Sequence, residues 1–226
     1  LCLMLKKTLI HGLCTLGVFA ALQGCDSASL TPTDLPWQVT ASAAGNPQVF
    51  GVEVGVTTLK GLIEHLRSFP ELAVFAHENG KRSLEAYFGT QRLGVFEAKL
   101  IAELQADSQT LNSFQQNATQ RAGMASGMWK HTLTEADVSK ADGLVINKLI
   151  YLPSIDYEPD IITARFGEPS QRLPTQQAGT ELWVYPAKGL LLLYSSDGGE
   201  ILYYTTPALY PALQQELLEA IPNNAQ

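Results

Sequence analysis

The chemistry-bearing residues of this chain fall into a few groupings. Cys25 closes the run Leu22-Gln23-Gly24-Cys25, which follows a basic pair (Lys6, Lys7) and an apolar run from Leu9 to about Leu22. That is the order of a cleavable secretory signal, with the cut between Gly24 and Cys25. The run falls short of the roughly 20 apolar residues a bilayer span needs, and His11, Gly12 and Gly17 interrupt it, so it does not read as a permanent anchor helix. Elsewhere, Gly123-Met124-Ala125-Ser126-Gly127 has the wrong spacing for a Gly-x-Ser-x-Gly nucleophile turn, and no Ser-x-x-Lys pair occurs. His65, His77 and His131 stand apart in sequence, without the paired spacing of a helical zinc site. Asp156, Glu158 and Asp160 flank Pro159; a calcium or acid/base site is one reading, and stabilisation of a helix N-terminus by acidic residues already suffices. Asp197-Gly198-Gly199 lacks the length and the Lys-Ser/Thr of a phosphate loop and reads as a hairpin turn. The candidate catalytic set is therefore empty, and no metal or other cofactor is expected.

The residues Leu22-Gln23-Gly24-Cys25 resemble a bacterial lipobox. The resemblance implies that Cys25 is acylated and becomes the first residue of the mature chain, so a covalent lipid on Cys25 is the expected membrane link. Asp26, directly after it, resembles an inner-membrane retention signal, which sets a modest preference for the inner membrane with the outer membrane as the alternative. In either case the body faces the periplasm.

Loss of residues 1–24 leaves enough chain for one large domain or two small ones with a real core. It also removes Cys2 and Cys14, so Cys25 is the one cysteine left, with no internal disulfide and no cysteine-based metal site. The remaining chain carries 13 basic against 22 acidic side chains. Such a balance disfavours nucleic acid, whose binding rests on basic residues displacing counterions from phosphates. It also gains nothing from an anionic lipid surface, so attachment to the membrane falls to the acyl chains.

The elements that must position any site follow from periodicity. Residues 25–47, rich in Ser, Thr, Ala, Pro and Gly, read as a flexible tether. From Val49 an extended entry leads to a helix capped by Thr57, with Leu59, Leu62, Ile63 and Leu66 on one face and Pro70 barring its continuation. Short strands follow at Leu72–Ala76 and around Leu84, Ala86 and Phe88, with a second run after Gly89-Thr90 holding Leu93 and Val95. These make a first module, 48–105. Residues 106–142 read as a helical insert with a stripe of Leu111, Phe114 and Ala118, and with Thr134 and Asp137 spaced as a capping pair. A second module, 143–226, has a strand to Leu152, a helix opened by Pro159 and closed by Gly167, three strands (Glu181–Tyr185, Leu190–Tyr194, Glu200–Thr205) and a closing helix. The expected fold class is α+β: two tandem modules of helices packed on small antiparallel β-meanders.

Val54-Gly55-Val56-Thr57-Thr58-Leu59 and Ile161-Ile162-Thr163-Ala164-Arg165-Phe166-Gly167-Glu168-Pro169 resemble the helix steps of small lipoproteins of the SmpA/OmlA (BamE) type, whose fold is shared with β-lactamase-inhibitor-like domains. The resemblance implies helices on one face of a small antiparallel sheet and a role in the cell envelope. The strands of the second module carry Trp183, Tyr185, Tyr194, Tyr203 and Tyr204. Adjacent strand residues point to opposite faces, so either an outward sheet face bears some of these aromatics as a binding surface or the second module or the helical insert covers it. The leading functional expectation is a lipid-anchored, non-catalytic protein-binding or scaffold module with an envelope protein as partner. Second comes a periplasmic enzyme inhibitor of the β-lactamase-inhibitor-like type, and third a hydrolase or metal-binding protein.

Overall fold

The computed structural model describes residues 34–77 and 80–219. The lipobox, Gly24, Cys25 and Asp26 lie outside the described residues. The chain enters through three short antiparallel strands, β1 (Thr40–Ala41), β2 (Pro47–Val49) and β3 (Val52–Glu53), followed by helix α1 (Leu59–Leu66). Next come β4 (Glu71–Ala76), β5 (Arg82–Leu93) and β6 (Phe96–Leu104). Helix α2 (Ser108–Asn117), the hairpin β7 (Gln120–Gly123) and β8 (Trp129–Thr132), and α3 (Glu135–Ala141) lead to β9 (Ile146–Pro153). The chain closes with α4 (Pro159–Phe166), β10 (Gln171–Pro174), β11 (Thr180–Tyr185), β12 (Leu190–Ser195), β13 (Ile201–Thr205) and α5 (Tyr210–Glu219).

The ten strands β4–β13 form one antiparallel sheet in the order β10-β11-β12-β13-β9-β6-β5-β4-β8-β7. This overturns the expectation of two modules on separate small meanders. The strands of the two expected modules meet where β6 pairs with β9, from Ala98 opposite Pro153 to Leu104 opposite Ile146. Nothing local in either segment announces that pairing, which joins residues some fifty positions apart. The 106–142 segment is not a purely helical insert either, since β8 pairs with β4 and β7 borders the sheet. Gly89-Thr90 is no break: β5 runs through it with a shift in register, and the hairpin turn falls at Gly94-Val95. The tether expected to reach residue 47 is already part of the body from Leu35, which is buried; the buried Tyr204 hydroxyl donates to the Pro36 carbonyl at 2.6 Å.

Alternation along each strand divides the sheet into two faces. On the inner face Leu72, Leu84, Leu100, Tyr151, Trp183, Leu192 and Tyr204 meet Leu59 and Leu62 of α1, Phe114 of α2, Ala141 of α3 and Phe166 of α4 in one core. Local signals start and stop these helices. Thr58, one residue after the expected cap, accepts from the Gly61 amide at 3.2 Å; Asp107 accepts from Thr110 at 2.7 Å; and Thr134 accepts from Asp137 at 3.1 Å. The buried Asp137 carboxylate is hydrogen-bonded by Lys140 and Asn117, and the Lys140 contact foremost holds it below the usual carboxylate range.

Two arginines mark the ends of the sheet. On the border strand β7, Arg121 lies 3.9 Å over the Trp129 ring of β8; on the opposite border strand β10, Arg172 lies 3.9 Å over the Trp183 ring of β11. In both pairs the cation covers the flat face of a ring in the neighbouring strand.

Phe50 closes the core from the entry segment. With Gly51 it forms the two-residue turn between β2 and β3, and both residues have positive φ (52° and 71°), the turn that favours Asn-Gly. A bulky residue there costs about 1–2 kcal/mol of backbone strain. The compensation is the ring, which stacks on Tyr151 at 5.1 Å and meets Tyr204 edge-on at 5.8 Å. Phe50→Ala should therefore destabilise the protein by about 3–5 kcal/mol in urea unfolding. Phe50→Gly, which loses the same ring and relieves the strain, should be more stable than Phe50→Ala by about 1 kcal/mol; equal loss in both would show that the turn is unstrained.

Candidate binding face

Helices α1 to α4 close the inner face, so the outer face is where the sheet can meet something else. Cross-strand register sets its rows. Glu71, Tyr87, Ile101, Ile150 and Tyr203 stand side by side on β4, β5, β6, β9 and β13, and the next row is Ala73, Glu85, Glu103 and Lys148. Helix α5 covers one end of this face, packing Tyr210 and Leu213 on Leu182, Val184 and Leu191. The Tyr210 hydroxyl ties it down, accepting from the Tyr185 amide at 3.1 Å and donating to the Leu190 carbonyl at 2.9 Å. Farther along, Glu216 of α5 pairs with Lys81, next to the start of β5.

Beside α5 the face is open. Ala73, Phe75, Tyr87 and Ile101, with Met124 from the β7–β8 loop, line a shallow depression of about 120 Å³ together with Glu71, Glu85 and Lys130. Tyr87 and Met124 are exposed, whereas Phe75 and Ile101 are half-buried. The charges here are largely matched: Lys130 pairs with Glu71, and Lys148 with Glu103. Among the described residues Glu85 has no cation partner of its own. Burial holds its carboxyl above the usual carboxylate range, while the Ser83 hydroxyl, donating at 3.0 Å, opposes the rise; Glu103 adds to it and Lys148 offsets it. Chemically this is an apolar strip set between charged side chains.

The aromatic residues expected to offer a surface are mostly structural. Trp183, Tyr185 and Tyr204 are buried on the inner face, where α4 meets Tyr185 and the entry segment, not the 106–142 insert, meets Tyr204. Tyr194 packs against Trp183 at 5.5 Å and is half-buried; the Trp183 indole N–H donates to Glu181 at 3.0 Å, and Tyr185 donates to the Gly167 carbonyl at 3.1 Å. Tyr203 alone of the five points to the outer face, half-buried beside α5, where burial pushes its hydroxyl up to about 12. Trp183 and Tyr194 do border a crevice of about 420 Å³, where Arg172 lies over the indole.

Other candidates have structural roles. The Asp156 carboxylate accepts from the Gly199 amide at 2.9 Å and lies against Gly198, where a Cβ would come within 2.6 Å of it; the buried Glu200 accepts from the Tyr157 amide at 3.1 Å. These two carboxylates therefore clamp the β9–α4 link to the β12–β13 turn. His65 backs onto Gly51, His77 lies past the far end of β4, and His131 is buried against Gln115 at 3.4 Å. Among the described residues no group of three or more His, Cys, Asp or Glu side chains is placed to hold a metal ion. The outer-face residues Phe75, Tyr87 and Ile101 are out of phase with the apolar alternation Leu84, Ala86 and Phe88, which marks only the inner face. A large aromatic out of phase, Tyr87, was the available signal.

Comparison with protein-family models, with characterised proteins and with solved structures finds no match to this chain. The functional reading therefore rests on residues and geometry.

Replacing Glu85 tests the electrostatics of this face. A carboxyl raised on folding binds more protons in the folded than in the unfolded state between its unfolded pKa, about 4.5, and its higher folded value. Its contribution to stability is therefore present below that window and lost as pH rises through it. Glu85→Gln should raise the melting temperature at pH 7 and leave it nearly unchanged at pH 4. A lower melting temperature at pH 7 would show that the carboxylate is stabilised where it stands.

Proposed function

We propose that this is a lipid-anchored protein of the cell envelope, held by acyl chains on Cys25 with its body facing the periplasm, which acts without catalysis by binding an envelope protein on the outer face of its sheet. The single observation that carries the binding role is the open part of that face, where Tyr87 and Met124 stand exposed and Phe75 and Ile101 half-buried beside α5 while four helices close the other side. Exposed aromatic and methionine side chains among fixed charges are the composition of protein interfaces. The anchor is supported by the basic pair, apolar run and Gly24-Cys25 order of the sequence. Among the described residues no helix is long and apolar enough to cross a membrane. Asp26 favours the inner membrane.

Two measurements test the proposal. Cells expressing the chain and fed labelled palmitate should label the wild type and not Cys25→Ala; labelling of both, or of neither, removes the anchor. Crosslinking in native membranes should capture a defined envelope protein with the wild type. Recovery should fall about tenfold when Tyr87→Glu and Ile101→Glu are combined, the effect of disrupting the centre of an interface. Undiminished capture by the double variant would move the binding site off this face.

A further inference from the structure

Among the exposed large apolar side chains of the described residues, Phe69 at 87%, Val95 at 56% and Ile155 at 52% share one end of the sheet, while Val56 at 55% stands before α1 at the other. Phe69 precedes β4, and its neighbour Ser68 accepts from the Gln91 side chain near the tip of β5 at 3.2 Å. Val95 is in the β5–β6 turn itself, between the paired Leu93 and Phe96. Ile155 follows β9, where the Ser154 amide donates to the Glu97 carbonyl at 3.0 Å, level with the start of β6. The strands concerned, β4, β5, β6 and β9, are immediate neighbours, with Val95 and Ile155 at the tip and Phe69 set back beside Gln91, so the three side chains lie toward one end of the sheet.

The polypeptide joins the body at the same end. Trp37 packs edge-on against Phe96 at 5.6 Å, next to the β5–β6 turn. Asp34 shares a surface pocket with Phe50 and Gly51, and Gly51 backs onto His65 in the last turn of α1, four residues before Phe69. Only nine residue steps separate Cys25 from Asp34. Fully extended, they span at most about 32 Å.

From this geometry we propose that the sheet end bearing Phe69, Val95 and Ile155 is the membrane-facing end of the protein and inserts these apolar side chains into the interfacial layer of the bilayer that holds Cys25. The inference rests on the lipid-anchor reading. A short tether keeps the entry end within reach of the bilayer, so these side chains meet lipid at high effective concentration. A single apolar residue on a detached body would bind lipid weakly; three on a body already anchored suffice to set its orientation. The neighbourhood is electrically mixed, with Arg67 and Arg92 beside the apolar residues and Glu97 and Asp156 close by. Contact is therefore through apolar insertion and is insensitive to salt. With this end down, the strands stand away from the membrane and the open outer face stays accessible from the side.

The test uses a chain that begins at Cys25, which retains every core residue described above and has one thiol. Coupling that thiol to a maleimide lipid in phosphatidylethanolamine vesicles with a minority of phosphatidylglycerol imposes the anchor chemically. The outcome is then independent of whether cells acylate Cys25. Hydrogen exchange is compared with that of the same protein capped by a soluble maleimide. Exchange in peptides covering residues 67–70, 93–96 and 154–156 should slow about fivefold on tethering, at low and at high salt alike. The slowing should vanish in the tethered variant combining Phe69→Ser, Val95→Ser and Ile155→Ser, whose substitutions are all at exposed positions. No slowing, slowing only at the outer-face residues 71–75 and 99–103, or equal slowing in the triple variant would each overturn the proposal.

Discussion

The hydrogen bonds between β6 and β9 hold the architecture together. Without them each half of the chain would end in a strand of eight or nine residues with an unpaired edge, a liability that folded proteins avoid. Pairing the two edges satisfies both rows of backbone donors and acceptors at once. It also runs a single core beneath both halves, so that Leu100 and Ala102 of one abut Leu149 and Tyr151 of the other. The halves share their apolar interior and are not separable units of stability.

That seam has a cost on the other side of the sheet. Four helices on one face cannot also cover the reverse, and α5 packs on the β10–β13 end, reaching toward β5 only through the Glu216–Lys81 pair. The rest is left in an intermediate state, with half-buried apolar residues in one row and opposed charges in the next. The paired Lys148 and Glu103 and the elevated Glu85 carboxyl belong to a surface partly withdrawn from water. Such a surface is neither core nor ordinary exterior. Its apolar strip and its ion pairs stand in adjacent rows of the same strands.

Much of the local structure was legible in the sequence. The stripe Leu59, Leu62, Leu66, the Thr134 cap, Pro159 and Gly167 at the ends of α4, and the turns at 186–189 and 197–199 each carry a short-range signal, and each stands where that signal puts it. Other features depend on distant partners and had none. The β6–β9 register, the docking of β8 on β4 and the short strand β10 are fixed by residues far apart in the chain, and no alternation within one segment encodes them. Gly89 misled because a glycine within a strand marks a bulge as readily as a turn. The aromatics Trp183, Tyr185 and Tyr204 misled for another reason: composition gives their chemistry, but only the placement of the entry segment and α4 shows that the inner face is covered. Phe50 shows the same limit, since a local preference disfavours it in its turn and a tertiary contact requires it there.

The arginine laid over a tryptophan at each border of the sheet bears on how the molecule meets its own kind. A border strand is a template for further strands, and ten strands stacked side by side could in principle continue into a fibre. Here both borders are only four residues long, and each bears a fixed positive charge on the helix-bearing face. Two copies approaching border to border would have to displace an arginine from its ring, and at β10 from its Glu168 partner, before a ladder could form. The sheet is thereby terminated at both ends. Growth by strand addition is disfavoured at both borders, where the chain would otherwise offer its open backbone groups.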